Sequence, residues 1–250
     1  MTSERVAVVT GASSGIGRAT ALLLAEQGFS VIATARRKDQ LASLAQTHPT
    51  IHAFPADLTL QSDVDALSHF CSDKKVEVLI HAAGGAFDGA SVLESDPAIW
   101  EKTYELNVVS TVRLTKALTP QMIKNGKGHI VIISSTAGHR AYENGGSYVA
   151  AKFAETSLAH TLRLELNGLP IRVTEIAPGM VKTDEFALNR FGGDSAKAAK
   201  VYEGVAAPLT AEDVAESIRW SVMLPDHFNV DSMVIRPLAQ AANHKVHRNL

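Results

Sequence analysis

The sequence predicts one α/β domain over residues 1–250, a doubly wound parallel sheet of about seven strands flanked by helices. Three observations predict it. Short apolar runs with strand character alternate with longer stretches whose apolar residues recur at helical spacing. The first run, Val6 to Thr10, leads through a glycine-rich loop into a helical pattern and then a second strand. The 250 residues, 46% of them hydrophobic, suit one large domain with a substantial core, and no linker, repeat or low-complexity tract divides them.

Composition narrows the function classes. Charged residues make up 20% and the net charge is -2, so no basic excess points to nucleic acid or an anionic membrane. The single cysteine, Cys71, cannot form an internal disulfide, which fits a reducing compartment. The apolar run Val6 to Val9 is too short for a signal-peptide core or a membrane span. The expectation is a cytoplasmic, soluble protein. Its 10 histidines contain no H-E-x-x-H, and no metal is expected. His244 and His247 have a spacing that could hold one, but a solvated basic tail, or one docked on a neighbouring subunit, serves equally.

The elements follow in order. Val6 to Thr10 reads as a buried strand, and Thr10-Gly11-Ala12-Ser13-Ser14-Gly15-Ile16-Gly17 opens a helix that runs through Gln27. Gly11 permits the sharp exit from the strand, Gly15 lets backbone approach a pyrophosphate, and Gly17 lets helix and sheet pack closely. The helix N-terminus offers free N–H groups to phosphate. Ser30 to Ala35 is the second strand, completing the first half of a Rossmann-type dinucleotide-binding unit. After it stand Arg36 and Arg37, with no carboxylate until Asp39. Paired guanidinium groups suit the 2′-phosphate of NADP; two solvated arginines opening the next helix are the alternative.

Ile51 to Phe54 is a third strand, followed by Asp57-Leu58. Asp57 can accept from an adenine amino group or cap the helix that starts near Leu60. Val76 to Ile80 is a fourth strand, ending in His81-Ala82-Ala83-Gly84-Gly85, whose small residues let a flat ring or ribose lie against backbone. His81 reads as a packed structural histidine. One long helix is predicted from Pro97 to Lys124, with Asn107 inside it. Asparagine is a poor mid-helix residue, so a buried polar task such as holding a water, or a plain surface position, accounts for it.

Gly128 to Ser135 is a fifth, central strand ending in two hydroxyls. Ligands bind at the carboxyl ends of such strands, where Ser135 lies. On the following helix, Tyr148 and Lys152 are one turn apart and on one side. A free phenol has a pKa of about 10, and a neighbouring ammonium lowers it toward usefulness as an acid and base. Such pairs also occur by chance as a packed ring and a solvated amine. Ile171 to Ile176 is a sixth strand, followed by Ala177-Pro178-Gly179-Met180-Val181-Lys182-Thr183. Residues 184–207 suit a lid over a substrate. Thr210 to Asp213 reads as a capping box before a helix ending near Leu224, and Ser232 to Arg236 as a last strand.

Taken together, Thr10 to Gly17, Asp57, Asn107, Ser135, Tyr148, Lys152 and Pro178-Gly179 resemble the short-chain dehydrogenase/reductase family from Val6 to about Pro237. One departure is His81-Ala82-Ala83-Gly84 where that family usually shows Asn-Asn-Ala-Gly. The resemblance implies hydride transfer with Tyr148 as acid and base. Lys152 would tune Tyr148 and hold the nicotinamide ribose, Ser135 would orient the substrate oxygen, and Asn107 would position a water. It also implies cofactor contacts from Gly11, Ser13, Ser14, Gly15, Ile16, Gly17, Arg36, Arg37, Asp57 and Leu58. Ala82, Ala83, Gly84, Pro178, Gly179, Val181 and Thr183 complete that set. The C-terminal third, including Glu185-Phe186, Arg190-Phe191 and Lys200-Val201-Tyr202, is similar to the NADP-dependent 3-hydroxy acid dehydrogenases, which act on serine or malonic semialdehyde. A basic residue should meet such a carboxylate, and Arg190 and Arg140 are the candidates. The family implies a homotetramer through helices 98–124 and 147–167. The alternatives are a short-chain carbonyl reductase for another ketone, sugar or steroid, and a non-catalytic NADP-sensing regulator.

Overall fold

A computed structural model describes residues 5–183 and 185–249. The first half runs β1 (Val6–Thr10), α1 (Gly15–Glu26), β2 (Ser30–Ala35), α2 (Lys38–Ala45), β3 (Ile51–Pro55), α3 (Gln61–Phe70) and β4 (Val76–His81). Then come α4 (Pro97–Tyr104), a π-turn (Glu105–Val109), α5 (Ser110–Lys124), β5 (Gly128–Ile133), a 3₁₀ turn (Thr136–Gly138), α6 (Gly146–Glu165) and β6 (Ile171–Pro178). The chain ends with α7 (Phe186–Arg190), α8 (Ser195–Lys200), α9 (Ala211–Val222), β7 (Ser232–Ile235), β8 (Gln240–Ala242) and β9 (Lys245–Val246).

Strands β1 to β7 form one parallel sheet in the order β3-β2-β1-β4-β5-β6-β7. The order reverses between β1 and β4, and a crevice opens there at the strands' carboxyl ends. Alternate strand residues feed two apolar layers. Ala7, Val9, Val31, Ala33, Ile80 and Ile133 pack with Leu24 of α1, Leu41 of α2 and Ile218 of α9. Val8, Ile32, Leu79, Ile130 and Ile132 pack with Leu67 of α3, Leu114 and Leu118 of α5, and Ala159 of α6. Each fully buried side chain of this kind contributes roughly 1.5–3 kcal/mol. The capping box at α9 is present, with Thr210 accepting from Asp213 N–H and the Asp213 carboxylate accepting in return.

Three expectations change. The single helix expected from Pro97 to Lys124 is two helices joined by a π-turn that contains Asn107. Thr103, Ser110 and Thr111 each donate a side-chain hydrogen bond to the carbonyl four residues back, which loosens the regular helical ladder in this stretch. Asp57 does not cap α3; its carboxylate closes a turn by accepting from the N–H and hydroxyl of Thr59. The C-terminal tail docks on its own chain. Strands β8 and β9 form a hairpin, and Arg248 donates to the carbonyls of Val201 and Glu203.

His81 is packed as the sequence suggests, 4% exposed, with Nε2 2.9 Å from the Thr115 hydroxyl. Burial pushes its pKa down to about 3. An unfolded chain would take up that proton near the ordinary value of about 6.5, so His81 opposes folding increasingly as pH falls from about 6.5 toward 3. Replacing His81 with Asn keeps a polar partner for Thr115 and removes the titration. Urea unfolding between pH 6.5 and 4.5 should then lose stability less steeply, by about 1.4 kcal/mol per pH unit. Parallel slopes for both proteins would assign the acid sensitivity elsewhere.

Candidate active site

The crevice is a cavity of about 490 Å³, within the range of small-molecule sites. It is built where β1, β4, β5 and β6 end. Ile16, Ala82, Gly84 and Gly85 form one side, Ser135, Tyr148 and Lys152 the floor, and Pro178, Gly179, Val181 and Thr183 the other side. Phe186, Arg190 and Tyr202 of the 185–207 segment, with Gln240, Asn243 and His244 of the tail, complete the wall.

Close approach of backbones shapes the cofactor side. Gly11 has φ of +64°, and a Cβ there would lie 2.7 Å from the Ala82 carbonyl oxygen. A Cβ on Gly17 would lie 2.4 Å from the Gly11 oxygen. Both are closer than any side chain tolerates. The loop lacking the usual asparagines is held by other means: the Thr10 hydroxyl accepts from the N–H groups of Ala82 and Ala83, each at 2.9 Å.

Ser14 precedes α1 without capping it through its side chain, so the first-turn N–H groups of α1 remain available to a phosphate. Beside them, Arg37 donates to the hydroxyls of Ser13 and Ser14 and to the Glu185 carboxylate, while Arg36 is exposed. An anion already seated on Arg37 and Ser14 marks an anion-binding corner. The glycine loop, the small-residue wall and this corner together fit a dinucleotide bearing an extra phosphate. Asp57 lies nearby in sequence order, on the β3–α3 turn, with Leu58 buried in the core beside α3.

Asn107 is fully buried and acts as a clamp. Its amide donates to the Gly85 and Thr103 carbonyls at 3.0 and 2.7 Å and its oxygen accepts from Gly85 N–H at 3.0 Å. The structure thus commits the side chain to the Gly84–Gly85 backbone. Its main-chain oxygen accepts from the Thr111 hydroxyl.

Tyr148 and Lys152 share the inner face of α6, 8% and 5% exposed. The Lys152 ammonium lies 5.6 Å from the Tyr148 ring centre. It donates to the Ile133 carbonyl at 2.9 Å and lies 2.6 Å from the Glu155 carboxylate. Tyr148 differs from expectation. Burial pushes its pKa up, Tyr142 adds to the rise, and the Ser135 hydroxyl pulls against it. Burial dominates, and the expected lowering by Lys152 is not found. Ser135 itself accepts from Ala137 N–H at 3.1 Å and donates to the Pro178 carbonyl at 3.3 Å, which fixes its hydroxyl at the strand tip.

Of the two candidate arginines, Arg190 lines the cavity, and Arg140 is exposed outside it. Arg190 donates to the Tyr142 hydroxyl at 3.1 Å and the Asn144 carbonyl at 2.8 Å, and its buried Nε has no partner among the described residues. Sequence reasoning missed Gln240, which accepts from Met180 N–H at 2.8 Å, and Asn243, which donates to the Thr136 and Arg140 carbonyls. No pattern marks an asparagine or glutamine in a short tail as a buttress. Glu155 was also missed, although a carboxylate three residues after Lys152 falls on the same buried helix face.

A Cβ on Gly84 would lie 2.6 Å from the Asn107 side-chain oxygen and 3.6 Å from Lys152 Nζ. Gly84→Ala should therefore displace the Asn107 clamp, destabilising the fold by about 1–3 kcal/mol. It should also lower turnover about 100-fold through misplacement of the floor. Thermal unfolding and initial rates check both; a variant with unchanged turnover would show that the clamp does not position the reacting groups.

The family model described as short chain dehydrogenase matches residues 5–190. An uncharacterized oxidoreductase of Mycobacterium tuberculosis is 49% identical over 244 residues, covering 96% of this chain and 94% of that protein. An NADP-dependent 3-hydroxy acid dehydrogenase of Salmonella typhi is 34% identical over 248 residues, covering 98% of this chain and all of its own length, 100%. The solved closed form of a serine dehydrogenase complexed with NADP+ superposes with a TM-score of 0.90 at 32% identity, covering 98% of this chain and 100% of that one. The glycine loop, the strand-tip serine and the helical tyrosine–lysine pair thus sit in a chain that belongs to the short-chain dehydrogenase family.

Proposed function

We propose that the protein is an NADP(H)-dependent oxidoreductase interconverting a small 3-hydroxy acid and its 3-oxo acid, of the serine or malonic semialdehyde type. The observation that carries the reading is one cavity lined by Ser135, Tyr148 and Lys152 on its floor and by the Arg190 guanidinium on its wall. The relatives named for NADP, 3-hydroxy acids and serine support it.

The residues divide the task. The α1 N-terminus with Gly11, Gly15, Ile16 and Gly17 would hold the pyrophosphate. Ser13, Ser14 and Arg37, with Arg36 at the rim, would hold the 2′-phosphate in place of the Glu185 carboxylate. Asp57 and Leu58 would flank the adenine. Ala82, Ala83, Gly84, Pro178, Gly179, Val181 and Thr183 would wall the nicotinamide riboside. When bound, the dinucleotide supplies or accepts the hydride.

Tyr148 holds the proton that the substrate oxygen receives in reduction and takes it back in oxidation. Its raised pKa keeps the phenol protonated in the free protein, which suits the reductive direction. Ser135 would turn its one hydroxyl proton from the Pro178 carbonyl to the same oxygen and stabilise charge developing there. Lys152 supplies a fixed positive charge next to the phenol, and Asn107 keeps the Gly84–Gly85 backbone in place beneath the ring. Arg190 would meet the substrate carboxylate with the guanidinium protons that Tyr142 and Asn144 leave free. The segment 184–207 acts as the lid carrying Arg190; residue 184 lies outside the described residues.

We extend the reading to a cytoplasmic homotetramer. Tyr104, Val112, Phe153 and Leu164, on α4, α5 and α6, are 45%, 42%, 43% and 80% exposed and would be covered by such an assembly. No described helix is long and apolar enough to cross a membrane.

NADP+-dependent oxidation of L-serine, 3-hydroxybutyrate and 3-hydroxypropionate, measured beside neutral alcohols of equal length, tests the substrate class. At least one acid should turn over and its neutral counterpart should not; preference for the neutral alcohols would select the carbonyl-reductase alternative. Tyr148→Phe should lose at least about 1,000-fold in kcat while NADPH still binds, and near wild-type turnover would remove Tyr148 from the chemistry. Arg190→Ala should raise KM for the acid about 10- to 100-fold with a smaller effect on kcat. An equal loss toward a neutral alcohol would show that Arg190 shapes the wall without reading the carboxylate.

A further inference from the structure

One buried charge directly behind the site has no part in the chemistry above. Glu155, on the inner face of α6, is 2% exposed. Its carboxylate oxygen lies 2.6 Å from Lys152 Nζ, in contact but without the direction of a good hydrogen bond. A second carboxylate, Glu175 of β6, is fully buried behind it. Glu175 accepts from the hydroxyls of Ser134, Thr156 and Ser232 and contacts His139 at 2.9 Å, with His160 at 4.0 Å.

We propose that Glu155 is a positioning residue for the reaction, whose carboxylate holds the Lys152 ammonium against the Ile133 carbonyl at the floor of the cavity. This rests on the role given to Lys152 above. A lysine side chain has four rotatable carbons and, when buried, needs fixed partners to keep one geometry. Here the Ile133 carbonyl and the Glu155 carboxylate are those partners. Removing the carboxylate leaves a buried ammonium without its counter-charge, so Lys152 must shift toward solvent or give up its proton.

The two carboxylates are driven apart in acidity. Burial pushes Glu155 up to about 7, Lys152 pulls against that, and Glu175 adds to the rise. At Glu175 burial also raises, but the hydrogen bonds of Ser134, Thr156 and Ser232 outweigh it and the pKa is lowered. Glu175 is thus the fixed anion and Glu155 the titrating one. The other ionisable groups around α6 are engaged elsewhere or face outward. His139 and His160 lie on Glu175, Glu105 of the π-turn pairs with Arg113, and Glu101, Lys102 and Tyr104 of α4 are exposed. Tyr148 feels the Glu155 charge directly. Lys152 is therefore anchored above about pH 7 and released below it.

The test is the pH profile of kcat/KM for NADPH-driven reduction, using the carbonyl counterpart of the alcohol that turns over fastest. A reaction that needs only a protonated tyrosine runs level or rises as pH falls. The wild-type protein should instead lose activity below a midpoint near 7. Glu155→Gln should remove this limb and run at the low-pH level throughout, roughly 10- to 100-fold slower at pH 8. Glu155→Asp should restore a limb and part of the rate. A merely structural defect would scale the whole profile without removing its limb. Three results overturn the proposal: no wild-type limb between pH 6 and 8, a limb that survives in Glu155→Gln, or wild-type turnover by that variant at pH 8. Should Glu155→Gln not fold, the wild-type profile and Glu155→Asp decide. If Tyr148→Phe also turns over normally, the catalytic reading itself has failed rather than the role of Glu155.

Discussion

The site depends on how closely two strand exits approach each other at the point where the sheet order reverses. Gly11 after β1 and Ala82 after β4 lie so near that no Cβ fits between them. The Thr10 hydroxyl then ties both N–H groups of the second loop to the first. Gly17 lets α1 sit directly on that joint. This one contact places a helix N-terminus, a small-residue wall and the central strands in a common crevice. The glycines are needed there by sterics.

Onto that frame the protein places an unusual amount of buried charge. Lys152, Glu155, Glu175 and Arg172 are all at most 9% exposed. Buried ion pairs seldom add net stability, because desolvation costs several kcal/mol per ion. Their retention near a reaction centre makes better sense as geometry: each charge has defined partners. Arg172 donates to the carbonyls of Ser221 and Val222 at the end of α9. Glu175 is surrounded by hydroxyls. Of these four only Lys152 lines the cavity, so the state of its charge bears most directly on a bound ligand.

Much of the fold is legible in the sequence because its signals are local. The strand runs are apolar, the glycines stand at steric joints, and Thr210 with Asp213 names its own helix start. The π-turn was not legible. It arises from hydroxyls at 103, 110 and 111 bonding back to the helix, each an ordinary helix residue when read alone. The tail was misread for a different reason. Gln240, Asn243 and Arg248 act through bonds to backbone N–H and carbonyl groups some 45 to 107 residues away, and backbone groups carry no sequence signature. In the site, residue types chosen for chemistry could be read, whereas the acidity of Tyr148 could not. It depends first on burial, which is a property of packing.

The proposed chemistry and the proposed selection of substrate sit on elements of different length and packing. Ser135, Tyr148 and Lys152 lie on the central strand and on a 20-residue helix packed to the sheet. Arg190, Phe186 and Tyr202 lie on short helices, closed off by a pairing of Val181 with Leu209 and by the C-terminal hairpin. A group that moves a proton must be held to within tenths of an ångström, which packed elements provide. A group that reads the far end of the substrate has to let it in. Under the proposed reading Arg190 would reconcile the two demands, since Tyr142 and Asn144 hold its outer nitrogens while the residue lines the cavity. Its side chain is ordered before any ligand arrives, so binding a carboxylate there forfeits little further side-chain entropy. A wall built in this way can change its substrate through a few residues on α7 without disturbing the frame that β1 and β4 hold together.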